Sequence, residues 1–364
     1  MYGLKQAGTI WNKTITDVLK NLDYVSAESD ACLFVKETDG VRTFILLYVD
    51  DMLVVTDGNE EYQRILDHLN KKFKITCLGN VKHYLGIQVE RDEDGQFWLN
   101  QKCYIQKIAK RFGLDKAKPS AIPMDPGYVT MQQKEEEKLP IPDKYQSLIG
   151  ALLYLAVCTR PDISISASIL ERKVSQPTQA DWTEAKRMMK YLLATAELKL
   201  KLGGDGDLIG YADADWAGDK SDRKSNSGFI FKLGNGPVSW TARKQQCVTL
   251  SSTEAEYVAL SEACKELVWM MKLMRDVGEN IDGPVLIHED NQSCISILEA
   301  EGECRRTKHI DTKYNFVRDL HKSKKINVRY CPTEKMLADA LTKPLNRVKL
   351  ENLREGLGLE AVRA

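Results

Sequence analysis

Leu208-Ile-Gly-Tyr-Ala-Asp-Ala-Asp-Trp-Ala-Gly218 is the stretch on which the reading of this chain turns. Alternation puts Ile209, Tyr211 and Asp213 on one face of a strand. A strand that buries its apolar side chains seldom finishes in two acids two residues apart. Either it ends in a solvated turn, for which Asp and Gly are suited, or the acids hold something cationic. Read alone, the stretch leaves both open.

Its surroundings are ordinary for a globular protein. The chain has 364 residues, 43% hydrophobic and 29% charged, with 52 basic residues against 52 acidic ones. That length predicts two or three domains, each able to bury a core. A net charge of zero excludes a globally basic nucleic-acid binder but leaves local patches open. Nine cysteines without a Cys-x-x-Cys spacing suit free thiols in a reducing compartment better than a disulfide framework or a zinc site. No signal-peptide core opens the sequence, and no run of about 18 apolar residues occurs. The expectation is a soluble intracellular protein without membrane partners.

Upstream, 9–21 and 59–73 have helical periodicity. Thr43-Phe-Ile-Leu-Leu-Tyr-Val-Asp-Asp-Met-Leu-Val-Val-Thr56 reads as a hairpin with Asp50 and Asp51 at its tip. An Asp-rich turn is the plain reading. A divalent metal is the other, because Met52 is neither the Gly nor the Asn that a tight turn prefers. Strands are expected at 84–90 and 96–99, then a mostly helical stretch from 101 to 200 with a charged, Pro-containing linker at 116–139. Gly203-Gly-Asp-Gly-Asp207 is a composition break. Beyond it the pattern predicts strands at 208–214, 226–233 and 237–242, a helix at 252–277, strands at 285–290 and 326–331, and helices between and after them. Antiparallel strands followed by β-α-β imply a mixed sheet with helices on its faces. The last twenty residues read as a charged, loosely held tail.

Three more carboxylates fall in telling places. Ser251-Ser-Thr-Glu254 is a capping box, which makes Glu254 structural. Glu256 shares the apolar stripe of Leu260, Ala263 and Leu267, where a carboxylate is costly unless paired or bound to metal. Asp290 ends a strand, at the end where open α/β sheets place their ligands. Asp339 lies in the closing helix beside Leu337 and Leu341.

Gly210-Tyr-Ala-Asp-Ala-Asp-Trp-Ala-Gly218, Leu250-Ser-Ser-Thr-Glu-Ala-Glu-Tyr257, Glu289-Asp-Asn-Gln-Ser293, Arg306-Thr-Lys-His-Ile-Asp311 and Leu337-Ala-Asp-Ala-Leu-Thr-Lys-Pro-Leu345 closely resemble the ribonuclease H domain of copia-type retrotransposon polyproteins. Tyr2-Gly-Leu-Lys-Gln-Ala7, Tyr48-Val-Asp-Asp51, Tyr84-Leu-Gly-Ile87 and the run from Leu148 through Thr159-Arg-Pro-Asp162 resemble their reverse transcriptase. The resemblance implies an α/β (α+β) chain. Its parts would be a partial polymerase palm (1–100), a helical thumb or connection (101–203), a ribonuclease H-like mixed five-stranded sheet flanked by helices (204–345) and the tail (346–364).

It further implies that Asp213, Glu256, Asp290 and Asp339 are the nuclease metal ligands, with Asp213 preferred to Asp215 and Glu256 to Glu254. Ala259 supplies the small residue expected three positions after the helix acid. Two Mg²⁺, or Mn²⁺, about 4 Å apart would serve hydrolysis, with Asp213 bridging them. The substrate would be the RNA strand of an RNA–DNA hybrid, distinguished by its 2′-hydroxyls. Nine Lys/Arg against four acids between Glu301 and Tyr330, including Arg305, Arg306, Lys308 and Lys322-Ser-Lys-Lys325, fit a phosphate contact or a solvated face. His309 could meet phosphate or merely cap a helix. No His stands in Val328-Arg-Tyr-Cys-Pro-Thr333 to serve as a proton shuttle.

The resemblance also implies a polymerase metal site of Asp50, Asp51 and a third Asp upstream of the Tyr2-Gly-Leu-Lys-Gln motif, with which this chain opens. Gly8-Thr9-Ile10 departs from the usual Pro-Arg-Ala. The expectation is a polymerase part that is inactive alone, with the missing upstream segment or other polyprotein parts as partners. The setting would be cytoplasmic, in virus-like particles, or nuclear. The alternative is a non-catalytic remnant that still grips nucleic acid.

Overall fold

The computed structural model describes residues 6–130, 138–139, 142–300 and 311–361. The chain divides into two compact units, one of residues 1–81 with 266–282, the other of residues 82–265 with 283–364.

The first unit begins with α1 (Ala7–Lys20), whose Ile15, Val18 and Leu19 form one buried face. A four-stranded antiparallel sheet follows in the order of the chain: β1 (Val25–Ser26), β2 (Leu33–Thr38), β3 (Val41–Tyr48) and β4 (Asp51–Val55). The β3–β4 hairpin is the expected one, with Tyr48 paired to Asp51. Its two-residue loop is therefore Val49-Asp50, and Val49 sits at φ +56°. A β-branched residue there is strained. α2 (Asn59–Asn70) closes the core with Ile65 and Leu69. Lys36, almost fully buried, is held by Glu61 at 2.8 Å, and Tyr24 donates to the same carboxylate.

The second unit holds two five-stranded sheets. It opens with β5 (His83–Tyr84), β6 (Ile87–Arg91) and β7 (Phe97–Asn100), then the helices α3 (Lys102–Arg111), α4 (Pro126–Thr130), α5 (Pro142–Cys158), α6 (Ser164–Glu171) and α7 (Gln179–Ala194). After β8 (Leu198–Leu202) come β9 (Leu208–Asp215), β10 (Asn226–Leu233), β11 (Gly236–Lys244) and the long α8 (Ser252–Asp276), whose residues up to Lys265 belong to this unit and the rest to the first. The chain ends with β12 (Val285–Glu289), α9 (Gln292–Glu299), α10 (Asp311–Lys322), β13 (Ile326–Tyr330), α11 (Asp339–Thr342), α12 (Arg347–Arg354) and β14 (Leu359–Ala361).

The expected mixed sheet has the order β11-β10-β9-β12-β13. Its first three strands are antiparallel neighbours, while β9, β12 and β13 run parallel. Gly234-Asn235 turns β10 into β11, with Gly234 at φ +58°. This α/β arrangement puts the carboxyl ends of β9 and β12 side by side.

The other sheet, β14-β8-β7-β6-β5, is antiparallel throughout; β6 and β7 fall on the strands expected at 84–90 and 96–99, whereas β8 and β14 are additions. It corrects the reading of the chain end. Residues 346–361 are no loose tail, because α12 buries Leu350 and Leu353, Leu357 is fully buried and β14 pairs with β8. Among the described residues the stretch from 101 is mostly helical up to Ala194, then enters β8. Its helices share one hydrophobic core with Ile230 of β10, Leu337, Leu341 of α11 and Leu353 of α12. Within it lies a buried polar knot. Arg160 donates to both oxygens of Asp162 at 2.9 and 2.7 Å and to Thr195, and Tyr191 donates to Asp162 at 2.6 Å.

Among the described residues no helix is long and apolar enough to cross a membrane.

Candidate metal centre

β9 carries Asp213 to the end of the central strand, 2% exposed, facing the α11 side of the sheet. α8 brings Glu256 from the other face. The helix approaches closely because the contact is made of Ala214, Ala255 and Ala259, all buried. At the start of α8, Ser251 Oγ accepts from the Glu254 N–H at 3.2 Å and Glu254 accepts from the Leu250 N–H at 2.6 Å. Glu254 is thus spent on the cap, as the capping-box reading expects. Glu256 lies one turn above Leu260, buried with Ala263 and Leu267 below it, and accepts from the Ala214 N–H. Asp290 follows β12 directly, and Thr333 donates to it at 2.8 Å.

Asp213, Glu256 and Asp290 each offer an oxygen such that all three atoms lie within 4.8 Å of one another. Among the described residues this is the one such group. Asp339 stands apart from it. This carboxylate is fully buried in the first turn of α11, with Lys343 Nζ at 2.5 Å from one oxygen and Lys349 Nζ against the other. Asp215 is half-buried, with Asn226 opposite it in the register. Asp50 and Asp51 are exposed in the first unit and join no group of three.

A fifth acid was not singled out from the sequence. Glu289 is completely buried, accepts from the Asn291 N–H at 3.1 Å through one oxygen, and leaves the other without a partner. Strand alternation turns it to the α8 side, toward Glu256, while Asp290 turns the other way. The signal was available, since an acid next to last in the strand expected at 285–290 must face one of two buried layers.

The electrostatics follow from this crowding. Burial above all pushes Asp213 up to about 7, aided by Asp339 and Asp290 and opposed by Lys343. Burial raises Glu256 well above the carboxylate range, and Glu289, Asp213 and Asp290 add to it. Glu289 is raised likewise, chiefly by burial, with the Asn291 N–H working against it. Glu256 also keeps one carboxylate oxygen without a hydrogen-bond partner. Buried, mutually repelling carboxylates with orphaned oxygens fit a hard divalent cation, which takes oxygen ligands and offsets the repulsion.

The basic residues expected to meet phosphate are only partly visible. Arg305, Arg306, Lys308 and His309 lie outside the described residues. Lys322-Ser-Lys-Lys325 is exposed and immediately precedes β13. Because β12 and β13 are parallel, that run stands at the end of the sheet opposite Asp290. A five-residue strand puts it roughly 15 Å from the acids.

Residues 1–126 match the family described as reverse transcriptase (RNA-dependent DNA polymerase). Over 370 aligned residues the chain is 33% identical to the retrovirus-related Pol polyprotein from transposon TNT 1-94 of Nicotiana tabacum, covering 99% of this chain and 28% of that one. It is 32% identical to a transposon Ty5-1 protein of Saccharomyces cerevisiae, covering 73% of this chain and 87% of that one. The chain therefore spans less than a third of the tobacco polyprotein's length. A solved structure, RNase H1 from the halophilic archaeon Halobacterium salinarum, aligns to 38% of this chain and 95% of its own, at 18% identity and a TM-score of 0.28.

Proposed function

The chain belongs to the retrotransposon Pol polyprotein family, and from that membership we propose that its second unit is a nuclease that cuts the RNA strand of an RNA–DNA hybrid with divalent cations, Mg²⁺ first among them. The observation that carries this reading is the meeting of three carboxylates from two strand ends and a helix within 4.8 Å. Among the site acids, Glu256, Glu289 and Asp339 each have one oxygen without a hydrogen-bond partner. When bound, divalent cations supply the charge that lowers the pKa of water and stabilises a departing oxygen of a phosphodiester.

The protein's part is to hold the oxygens in place. Asp213 is fixed by the Thr342 hydroxyl, Asp290 by the Thr333 hydroxyl and Glu256 by the Ala214 N–H. Each of those donors leaves the remaining lone pairs of its carboxylate free for a cation. Asp213, on which both Asp290 and Asp339 act, would be the ligand to be shared. The nuclease part is assigned to 204–345 and the polymerase-like part to the residues before 100. Asp50 and Asp51 join no group of three such ligands among the described residues, and we assign the activity to the second unit.

The test is cleavage of a labelled RNA–DNA hybrid by the full chain at millimolar Mg²⁺, run beside a binding assay. Cleavage that disappears with EDTA and with Asp290→Asn supports the reading. Binding without cleavage supports a non-catalytic nucleic-acid-binding remnant, and a hybrid left both intact and unbound ends both readings.

A further inference from the structure

Of the four acids the family resemblance nominates, Asp339 alone has an ammonium group against each oxygen, Lys349 as a hydrogen bond and Lys343 as an ion pair without hydrogen-bond geometry. Lys343 reaches it from one turn further along, and Lys349 from the next helix. Lys349 is held there by α12, which Asn346 caps by accepting from the Lys349 N–H and which Leu350 and Leu353 anchor in the core. One buried carboxylate requires one counter-charge, and here it has two. The surplus faces Asp213 and Asp215, whose charges also act on Lys343. The arrangement therefore balances the wider acidic site rather than Asp339 alone.

We infer that Lys343 and Lys349 are built-in counter-cations that compete with a second divalent ion for Asp339. The chain then takes up one ion on Asp213, Glu256 and Asp290 first, and another through Asp339 only at higher concentration, once the lysines have been displaced. This rests on the nuclease reading of the same site. It makes cation uptake stepwise, and it gives α12 at the chain's end a hold on the site through Lys349.

The test is Mn²⁺ binding to the full chain, counted by electron paramagnetic resonance or calorimetry, without substrate. Two classes of site are expected, separated by about tenfold or more in affinity. In a Lys343→Met, Lys349→Met double variant the weaker class should tighten by about tenfold while the stronger is unchanged. Asp339→Asn should remove the weaker class alone. Lys349→Met by itself, which leaves Lys343 in place, should move the weaker class in the same direction by a smaller factor, and it decides the matter if the double variant does not fold. Two sites of equal affinity in the wild-type chain, or an unmoved weaker class in these lysine variants, would overturn the inference and leave the nuclease reading standing. No Mn²⁺ bound by the wild-type chain at several millimolar would overturn both.

Discussion

Gly228 stands directly across from Asp213 in the β9–β10 register, and the missing side chain is what lets α11 lie against the strand. A Cβ on Gly228 would come 2.7 Å from the Leu341 Cβ and 2.8 Å from the Thr342 Cγ2. Thr342 donates to Asp213 and its carbonyl accepts from Asn226 at 3.1 Å. Gly228→Ala should therefore push α11 outward and loosen the orientation of Asp213. The expected cost is about 1–3 kcal/mol of stability, read by thermal or urea unfolding, with a fall in hybrid cleavage larger than that cost explains. A Gly228→Ala variant of wild-type stability and activity would show that α11 has slack.

Arg160 is buried with Asp162, and the pair is completed by Tyr191 and Thr195. Burial works against the guanidinium, but Asp162 and Tyr191 outweigh it and raise Arg160 further. Removing one partner strands the other in the core. Arg160→Met should cost about 3–5 kcal/mol, measured by denaturant unfolding, whereas Arg160→Met combined with Asp162→Leu should recover a substantial part of it. A single variant within 1 kcal/mol of wild type (roughly the effect of an exposed pair) would mean that water reaches the knot.

Much of this site was legible in the residues themselves. Alternation put Asp213 and Ala214 on opposite faces of the strand, and helical spacing put Glu256 on a buried stripe. Glu289 was not singled out, because an acid beside a more prominent acid reads as part of the same turn, although alternation sends the two to opposite faces. β8 and β14 of the second sheet were missed for another reason. Leu198-Lys-Leu-Lys-Leu202 does alternate, but its partners are Phe97–Leu99 and Leu359–Ala361. Pairings that distant leave no local mark, and a three-residue strand has too little pattern to read. The resemblance placed Asp339 among the ligands, and nothing in the sequence pattern indicated that Lys343 and Lys349 would hold it.

Asp290→Asn and Glu289→Gln should separate two roles. Asp290 is half-buried at the open side of the group. Its loss should cut cleavage by at least about 100-fold while the fold, checked by circular dichroism, is kept. Glu289 lies beneath the group, and its neutral replacement relieves repulsion on Glu256. Glu289→Gln should raise the melting temperature in EDTA and reduce the further rise that Mg²⁺ gives. Equal losses of activity in the two variants, with no change in cation-free stability, would argue that Glu289 is a ligand like Asp290.

Asp50 and Asp51 are exposed in the first unit and join no group of three potential ligands among the described residues. A primer–template extension assay with this chain should therefore show no incorporation above background, and Asp50→Asn with Asp51→Asn should leave hybrid cleavage within about twofold of wild type. Incorporation by the chain alone would refute the placing of all activity in the second unit.

The carboxylate group also sets a pH dependence opposite to that of a salt-bridged acid. Burial chiefly raises Asp213 from its ordinary 3.8 to about 7. Between those values the folded chain holds a proton that the unfolded chain has lost. Stability from this group is therefore full below pH 3.8 and is lost as pH rises through about 7. Glu256 and Glu289 are shifted in the same direction. Lys343, raised by Asp213 and Asp339 against the opposing effect of burial, contributes stability that is lost only well above this window and leaves it unaffected. The separation sets a ceiling on the order of 4 kcal/mol for Asp213 alone. In EDTA the unfolding free energy should fall from about pH 5 to about pH 8, and millimolar Mg²⁺ should restore it at the higher pH while adding little at the lower, where protons compete for the same oxygens. Denaturant titrations at the two pH values, with and without Mg²⁺, measure all four corners. A cation-free chain equally stable at both would mean that the acids are relieved by some other charge, and the two lysines at Asp339 would be the first to test.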